Sequence, residues 1–478
     1  MKCFKLNIKK INNRFDPLFY SSDIFSVLSS STYKTYRICD VVSYLKTGFA
    51  AGKSEQTEQD AGIIQIRPTN INEDRLLCFD KNVYINPNEV KNKQENLLKK
   101  REVLFNNTNS QDLVGKSVFF DKDGEFFCSN HITRIGVNEK IIHPFFLTTI
   151  LNIYQDKKVF FNTCTNWNNQ SGVNIDLLKT YRIPVPDLDT QAAIVKIIQE
   201  AYKNKSNKEI EAETIINSIE NTILGQLDLK NYYVNNKKTF CVNCKEVKNK
   251  RLDAYGYQLA PRAILNAIKQ SKYKDTIVPL ASLILENFTG DWGEDIEKDL
   301  NDDYSVCNVI RNKNFNNVYN IDYEDIAQRK ILNTKKEKIL LKKGDILIEK
   351  SGGSPKQPVG RVAYIDKDID NYVFSNFLQC IRINSELCDP EYLFIYLRTI
   401  YKLNYMKYIQ SQTTGIINLL MDDFLNIPII ILKDKDAQRE IVDKYNEMHN
   451  KAKQLQEEAK DEFKKTKVEV EKMILGEE

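Results

Sequence analysis

The chain has 478 residues, 42% of them hydrophobic, with 69 Lys+Arg against 65 Asp+Glu for a net charge of +4. That balance excludes wholesale disorder and a histone-like basic coat, and leaves room only for local basic grooves. Ten unpatterned cysteines and the lack of an apolar run near the roughly 18 residues that span a bilayer point to a reducing cytoplasm and no membrane partner. The opening MKCFKLNIKKINNRFD has no unbroken apolar stretch of the kind a secretory signal needs.

At roughly 150 residues per domain the length suggests about three domains, but the chain is written twice. KCFKLNIKKINNR at 2–14 answers KTFCVNCKEVKNKR at 238–251, and IRPTN at 66–70 answers IRNKN at 310–314. VGKSVFFDKD at 114–123 matches VGRVAYIDKD at 359–368, and HPFFL at 143–147 matches DPEYL at 389–393. The order continues through SG at 171–172 with TG at 414–415, IP at 183–184 with 427–428, and DTQAAIV at 189–195 with DAQREIV at 436–442.

Within each copy, short β-branched and aromatic runs bounded by turn residues predict strands: GIIQI, KSVFF, DILIEK and GRVAYI. PFFLTTILNIY and PEYLFIYLRTIY predict helices. Residues 189–227 and 436–475 then lose proline and almost all glycine, and each predicts one long helix. The apolar stripe is Ile194, Ile198, Ala201, Ile215, Ile219, Ile223 and Leu227 in the first. In the second it is Ile441, Tyr445, Met448, Ala452, Leu455, Ala459, Phe463, Val470 and Ile474. Asp189 and Asp436, or residues near them, suit the N-caps. A 39-residue helix reaches about 58 Å, more than a globular domain needs, and a narrow stripe of this kind seeks the other helix. The alternative is that each helix packs on its own module.

Several motifs are weaker than they look. Cys241 and Cys244 lack a second ligand pair for zinc and read better as strand residues. GFAAGKS at 48–54 misses the phosphate-loop spacing and opens no apolar helix. Asp345 and Glu349 do not fit a nuclease spacing and read as solvated strand ends. His131, His143 and His449 pair with no nucleophile, so no catalytic residue and no metal site are expected.

Amide- and hydroxyl-rich loops recur at equivalent places and carry groups suited to phosphates and base edges. The first copy offers Asn107, Thr108, Asn109 and Gln111, then Asn168, Asn169 and Gln170. The second offers Ser351 and Gln357, then Gln410, Gln412 and Thr413. Lys53, Lys350 and Lys356 are candidate phosphate contacts. Arg67, Asn70, Arg311 and Asn314 have the chemistry to read guanine and adenine edges, or equally to serve a shared structural role at their matching positions.

Two tandem variable modules, each ending in an Ile-Pro strand, then D-x-Q-x-x-I-V and a long helix, resemble the specificity subunit of type I restriction-modification systems. IPVPDLDTQAAIVKII at 183–198 carries the resemblance strongly and IPIIILKDKDAQREIV at 427–442 less so, having Ile430 where Pro186 would correspond. RFDPLFY near the N-terminus also resembles the entry to recognition domains fused to methyltransferases, which leaves a type IIB-like or other methylation-based system open. The resemblance implies an α+β chain of two pseudo-repeated α/β target recognition domains joined by two long antiparallel coiled-coil helices. Its parts would be 1–187, the helix 188–228, 229–434 and the helix 435–478. It further implies a noncatalytic subunit in which each module reads half of a bipartite duplex target while the helices set the spacer. Two methyltransferase subunits would dock on the helices, and restriction/motor subunits can join. S-adenosylmethionine, ATP and Mg would be bound by those partners, none by this chain. The alternatives from other classes are a stand-alone nuclease or NTPase, and a protein-binding adaptor.

Overall fold

The structure is a computed structural model that describes residues 32–59, 62–90, 92–168, 170–229, 239, 241–244, 259–316, 321–354, 357–413 and 415–475, without the side chains of 259–262 and 413. Nearly all of the match between 2–14 and 238–251 lies outside these residues. The chain forms two compact units, Met1–Lys208 with Glu457–Glu478, and Glu209–Gln456. No helix among the described residues is long and apolar enough to cross a membrane.

In the first unit a four-stranded antiparallel sheet runs in the order Val42–Thr47, Ile132–Val137, Val103–Asn106, Ser117–Phe119. Helix α1, Pro144–Asp156, packs against its last two strands. A second sheet ends in a parallel pair, Ile63–Ile66 with Phe126–Cys128. The second unit repeats each part. Ile284–Thr289, Leu378–Ile383, Ile346–Glu349 and Val362–Tyr364 form the four-stranded sheet. The parallel pair is Tyr304–Ile310 with Tyr372–Phe374. The equivalent IR turns, Pro68–Asn70 and Asn312–Asn314, even share the same dihedrals at their arginines, φ −123° and ψ 167°.

The long segments are single helices, α2 at Leu188–Gln226 and, beyond α3 at Pro390–Lys402, α4 at Lys435–Leu475. Their caps are the neighbours of the residues named from sequence. Thr190 N–H donates to Asp187 Oδ1 and Asp436 N–H to Asp434 Oδ1, each at 2.9 Å, while Asp189 and Asp436 fall in the first turn. Each unit holds a stretch of both helices, running in opposite directions. In the first unit Ile194 and Ile198 share a core with Val470 and Ile474, and the Tyr202 and Phe463 rings stand 4.7 Å apart. Lys208 there pairs with Glu458 at 2.9 Å and Glu462 at 2.7 Å. In the second unit Ala212 packs with Ala452 and Leu455, while Ile219 and Ile223 join the module core together with Ile441 and Tyr445. The stripes therefore face both the other helix and a module, so the two packing readings hold together.

The D-x-Q motif has a mechanical basis. Gln191 is fully buried; His143 N–H donates to its Oε1 at 2.8 Å, and its Nε2 donates to Ile141 O at 3.0 Å and Pro186 O at 2.8 Å. Gln438 does the same work, accepting from Asp389 N–H at 2.8 Å and donating to Leu432 O at 2.7 Å. One amide thus ties the start of a module helix to the start of a long helix. By strand register Ile430, opposite Ile277, matches Pro184, opposite Thr35, and Leu432 matches Pro186 as the carbonyl that the glutamine holds, so the second junction is one residue longer and the two Ile-Pro pairs are out of register. Gln191→Ala and Gln438→Ala are expected to lower stability by about 1–3 kcal/mol each, because buried backbone groups lose their partners. Urea unfolding of each variant checks this; a shift near zero refutes the junction role.

Cys241–Cys244 are not in a strand; both cysteines are exposed thiols, against the sequence reading. Asp345 and Glu349 are not solvated strand ends either. They are 1% and 2% exposed and are held by Arg382 at 2.8 Å and Arg361 at 2.7 Å. The arginines arrive from neighbouring strands, which local sequence does not reveal.

Candidate nucleic-acid interface

A strand of two or three residues persists only if neighbours meet its backbone groups. In the first unit Thr108–Asn109 pairs with Gln170–Gly172, which pairs in turn with Thr165–Trp167. The two amide-rich loops are thus one surface, placing Thr108 and Asn109 beside Gln170, with Asn168 in the turn at φ 39°. In the second unit Ser351–Gly352, Ile416–Leu419 and Gln410–Thr413 form the same small sheet, gathering Ser351, Gln410 and Gln412. Ser351 Oγ donates to Asn418 Oδ1 at 2.7 Å. Asn169, Lys356 and the side chain of Thr413 lie outside the described residues.

Register corrects one sequence match. Gly415, at φ +88°, belongs to the hairpin turn, whereas Gly172 lies inside a strand opposite Thr108. The counterpart of Gly172 is Asn418, which lies opposite Ser351. Gly172 and Gly415 match in sequence yet occupy different places.

Beside each small sheet, the residue after the third main strand sits in an identical backbone setting. Asn107 N–H donates to His131 O and Val173 N–H to Asn107 O, both at 2.9 Å. Lys350 N–H donates to Phe377 O at 3.0 Å and Leu419 N–H to Lys350 O at 2.8 Å. The side chains then differ. Asn107, 6% exposed, donates through Nδ2 to Asn130 O at 3.1 Å and Thr133 Oγ1 at 3.0 Å. Lys350 Nζ donates to Thr289 Oγ1 at 2.8 Å and Gln379 Oε1 at 3.4 Å, and burial holds its ammonium below the usual lysine range. In the first unit this place opens into a hollow of about 500 Å³ lined by Thr47, Thr108, Thr165 and Trp167 among others.

The other sequence candidates are placed less uniformly. Lys53 is exposed on a 3-10 turn, and Gln357 is exposed in the loop after Gly353. Gln111 donates to Phe161 O at 2.8 Å, on a separate hollow with Lys116 and Lys158. Arg67 folds back on Gln65 at 3.1 Å, and Arg311 donates to Asp325 O at 2.9 Å. Asn70 and Asn314 are each 1% exposed, accepting from the N–H of Arg67 at 3.0 Å and Arg311 at 2.9 Å. Their Nδ2 groups bond loop carbonyls, Cys78 O for Asn70 and Asp325 O for Asn314. Both asparagines hold a turn, the structural of the two roles their repetition allowed. Sequence reasoning missed Trp167, 45% exposed, and the hollow-lining Thr47, Thr133 and Thr165. A tryptophan inside an amide-rich hairpin was the available signal.

Comparison with known proteins bears on what this surface serves. The matched part of the chain spans about a third of the length of its curated relatives. It is 28% identical over 149 residues to a Methanocaldococcus jannaschii protein named as the type I restriction enzyme MjaX specificity subunit, covering 30% of this chain and 34% of that one. It is 29% identical over 148 residues to the type I restriction enzyme HindI specificity subunit of Haemophilus influenzae, covering 28% and 31%. Among solved structures, the S subunit of a type I restriction-modification system from M. genitalium aligns at 13% identity with a TM-score of 0.48, covering 93% of this chain and 96% of that one. The HsdS subunit of Thermoanaerobacter tengcongensis aligns at 13% identity and a TM-score of 0.39, covering 93% and 97%. The family model of the type I restriction modification DNA specificity domain matches twice, at residues 30–221 and 292–464. The chain, one copy of that domain in each half, belongs to the type I restriction-modification DNA specificity family.

Proposed function

We propose that this chain is the noncatalytic DNA-specificity subunit of a type I restriction-modification complex. One observation carries the reading: two modules repeat the same strands and backbone hydrogen bonds while presenting different polar side chains at equivalent places. A shared frame with variable side chains is what reading two different half-sites requires. The recognition modules are 1–187 and 229–434, and the helices 188–228 and 435–478 set the unread spacer and dock two methyltransferase subunits, to which restriction/motor subunits can be added. S-adenosylmethionine, ATP and Mg belong to those partners, in the cytoplasm. Surface contacts come from the small sheets with Asn107, Thr108, Asn109, Asn168, Gln170, Ser351, Gln410 and Gln412, and from lysines such as Lys53 meeting phosphates.

Replacing residues 1–187 by the corresponding module of another family member tests this. Methylome sequencing of a host carrying the chain and its methyltransferase is expected to show one half-site changed and the other retained. A change in both halves, or none, refutes the modular reading.

A further inference from the structure

The position occupied by Asn107 in one module and Lys350 in the other distinguishes base contacts from phosphate contacts. Phosphates look the same whatever the sequence, so nothing about them requires a contact residue to change between modules. A residue that reads bases must differ when the half-sites differ. Here the backbone setting is identical and the chemistry is not. The first module places Asn107 against Thr133, which lies opposite Thr47. The second places Lys350 against Gln379, which lies opposite Thr289. All three positions correspond by strand register, and the set changes from neutral to cationic.

We propose that this position tells the two half-sites apart: Lys350, positioned by Thr289 and Gln379, recognises a guanine, while Asn107, its Nδ2 spent on Asn130 O and Thr133 Oγ1, leaves reading in the first module to the hollow beside it. This rests on the DNA-reading function proposed above and adds which residues discriminate and for what. Gln379 Nε2 donates to Asn287 Oδ1 at 2.5 Å, which turns its Oε1 toward the Lys350 ammonium. Thr289 Oγ1 also donates to Gln379 Oε1, at 2.8 Å. Two of the three ammonium donors are thereby directed, and Lys350 pairs with no carboxylate among the described residues. A donor-only group suits the N7 and O6 acceptors of guanine and rejects the exocyclic amines of adenine and cytosine. Among the described residues the first module has no cation at this place; its hollow offers threonine hydroxyls and the Trp167 ring instead, which suits a different base pair.

The test is selection of duplexes from a randomised pool by the full chain assembled with its methyltransferase subunits. Wild type is expected to enrich a two-part sequence with a fixed G·C pair in the half read by the second module. Lys350→Met with Gln379→Thr should lose discrimination at that pair by about tenfold or more and leave the other half unchanged. Lys350→Arg should retain the guanine. Asn107→Lys with Thr133→Gln, which does not touch the second module, should add a guanine preference to the opposite half. An unchanged motif with binding weakened equally across the pool would make Lys350 a phosphate contact and overturn the proposal. So would a guanine that survives Lys350→Met while the protein remains folded. If wild type enriches no two-part sequence at all, the parent reading falls and this one with it.

Discussion

Glu102→Ala is expected to destabilise the first unit by about 3–5 kcal/mol, the usual cost of leaving one half of a buried ion pair. Glu102 and Arg134 are 2% and 4% exposed in their side chains and meet at 2.7 Å. Arg134 also donates to Glu95 O at 2.9 Å and Leu97 O at 2.6 Å, and Tyr44 Oη donates to Glu102 at 2.5 Å. Without Glu102 the guanidinium keeps its carbonyls but loses its counter-charge in a region that water does not reach. Replacing both residues, Glu102→Leu with Arg134→Met, should cost less than Glu102→Ala alone, because no uncompensated charge remains. The two tryptophans make this measurable, since Trp167 lies in the first unit and Trp292 in the second. Urea unfolding followed by fluorescence in a Trp292→Phe background reads the first unit. A double replacement as damaging as the single one would refute the ion-pair account.

Glu220→Ala should cost the second unit a comparable amount, about 3 kcal/mol or more. Arg398, on α3, is 0% exposed, and its Nη1 donates to Glu220 Oε1 on α2 at 2.8 Å. Its guanidinium carbon stands 5.3 Å from the centre of the Tyr445 ring on α4. One arginine therefore touches the module and both long helices inside this unit. Glu220→Gln, which keeps an acceptor oxygen but no charge, should cost less than alanine. Fluorescence of Trp292 in a Trp167→Phe background follows the unfolding. Equal losses for Gln and Ala would show that charge contributes nothing here.

Much of this architecture could be read from residue patterns. Duplication, strands such as Ile346–Glu349, and both long helices rest on periodicity and turn chemistry, which are local. What escaped depends on what a side chain meets in space. Asn70 and Asn314 have the right chemistry for base edges, yet their amides hold turns from within. Asp345 and Glu349 read as wet strand ends because their arginines come from other strands. The amide-rich loops were legible as separate segments; that Thr108–Asn109 pairs with Gln170–Gly172 follows from long-range register. Gly172 and Gly415 matched by sequence, and only strand pairing shows that they differ. Trp167, one aromatic residue among polar neighbours, shows no period, and only its place in an amide-rich hairpin marks it.

The sharing of helix segments between repeats has a consequence for synthesis order. Val470 and Ile474 are 1% exposed within the core that holds Ile38, Phe146 and Ile194. The first module therefore lacks part of its interior until residues 470 and 474 have been translated. A premature stop codon after residue 456 would leave the second unit whole while opening the core of the first. The damage from such a truncation would appear in the unit built mainly from residues more than 200 positions earlier, as its aggregation or degradation.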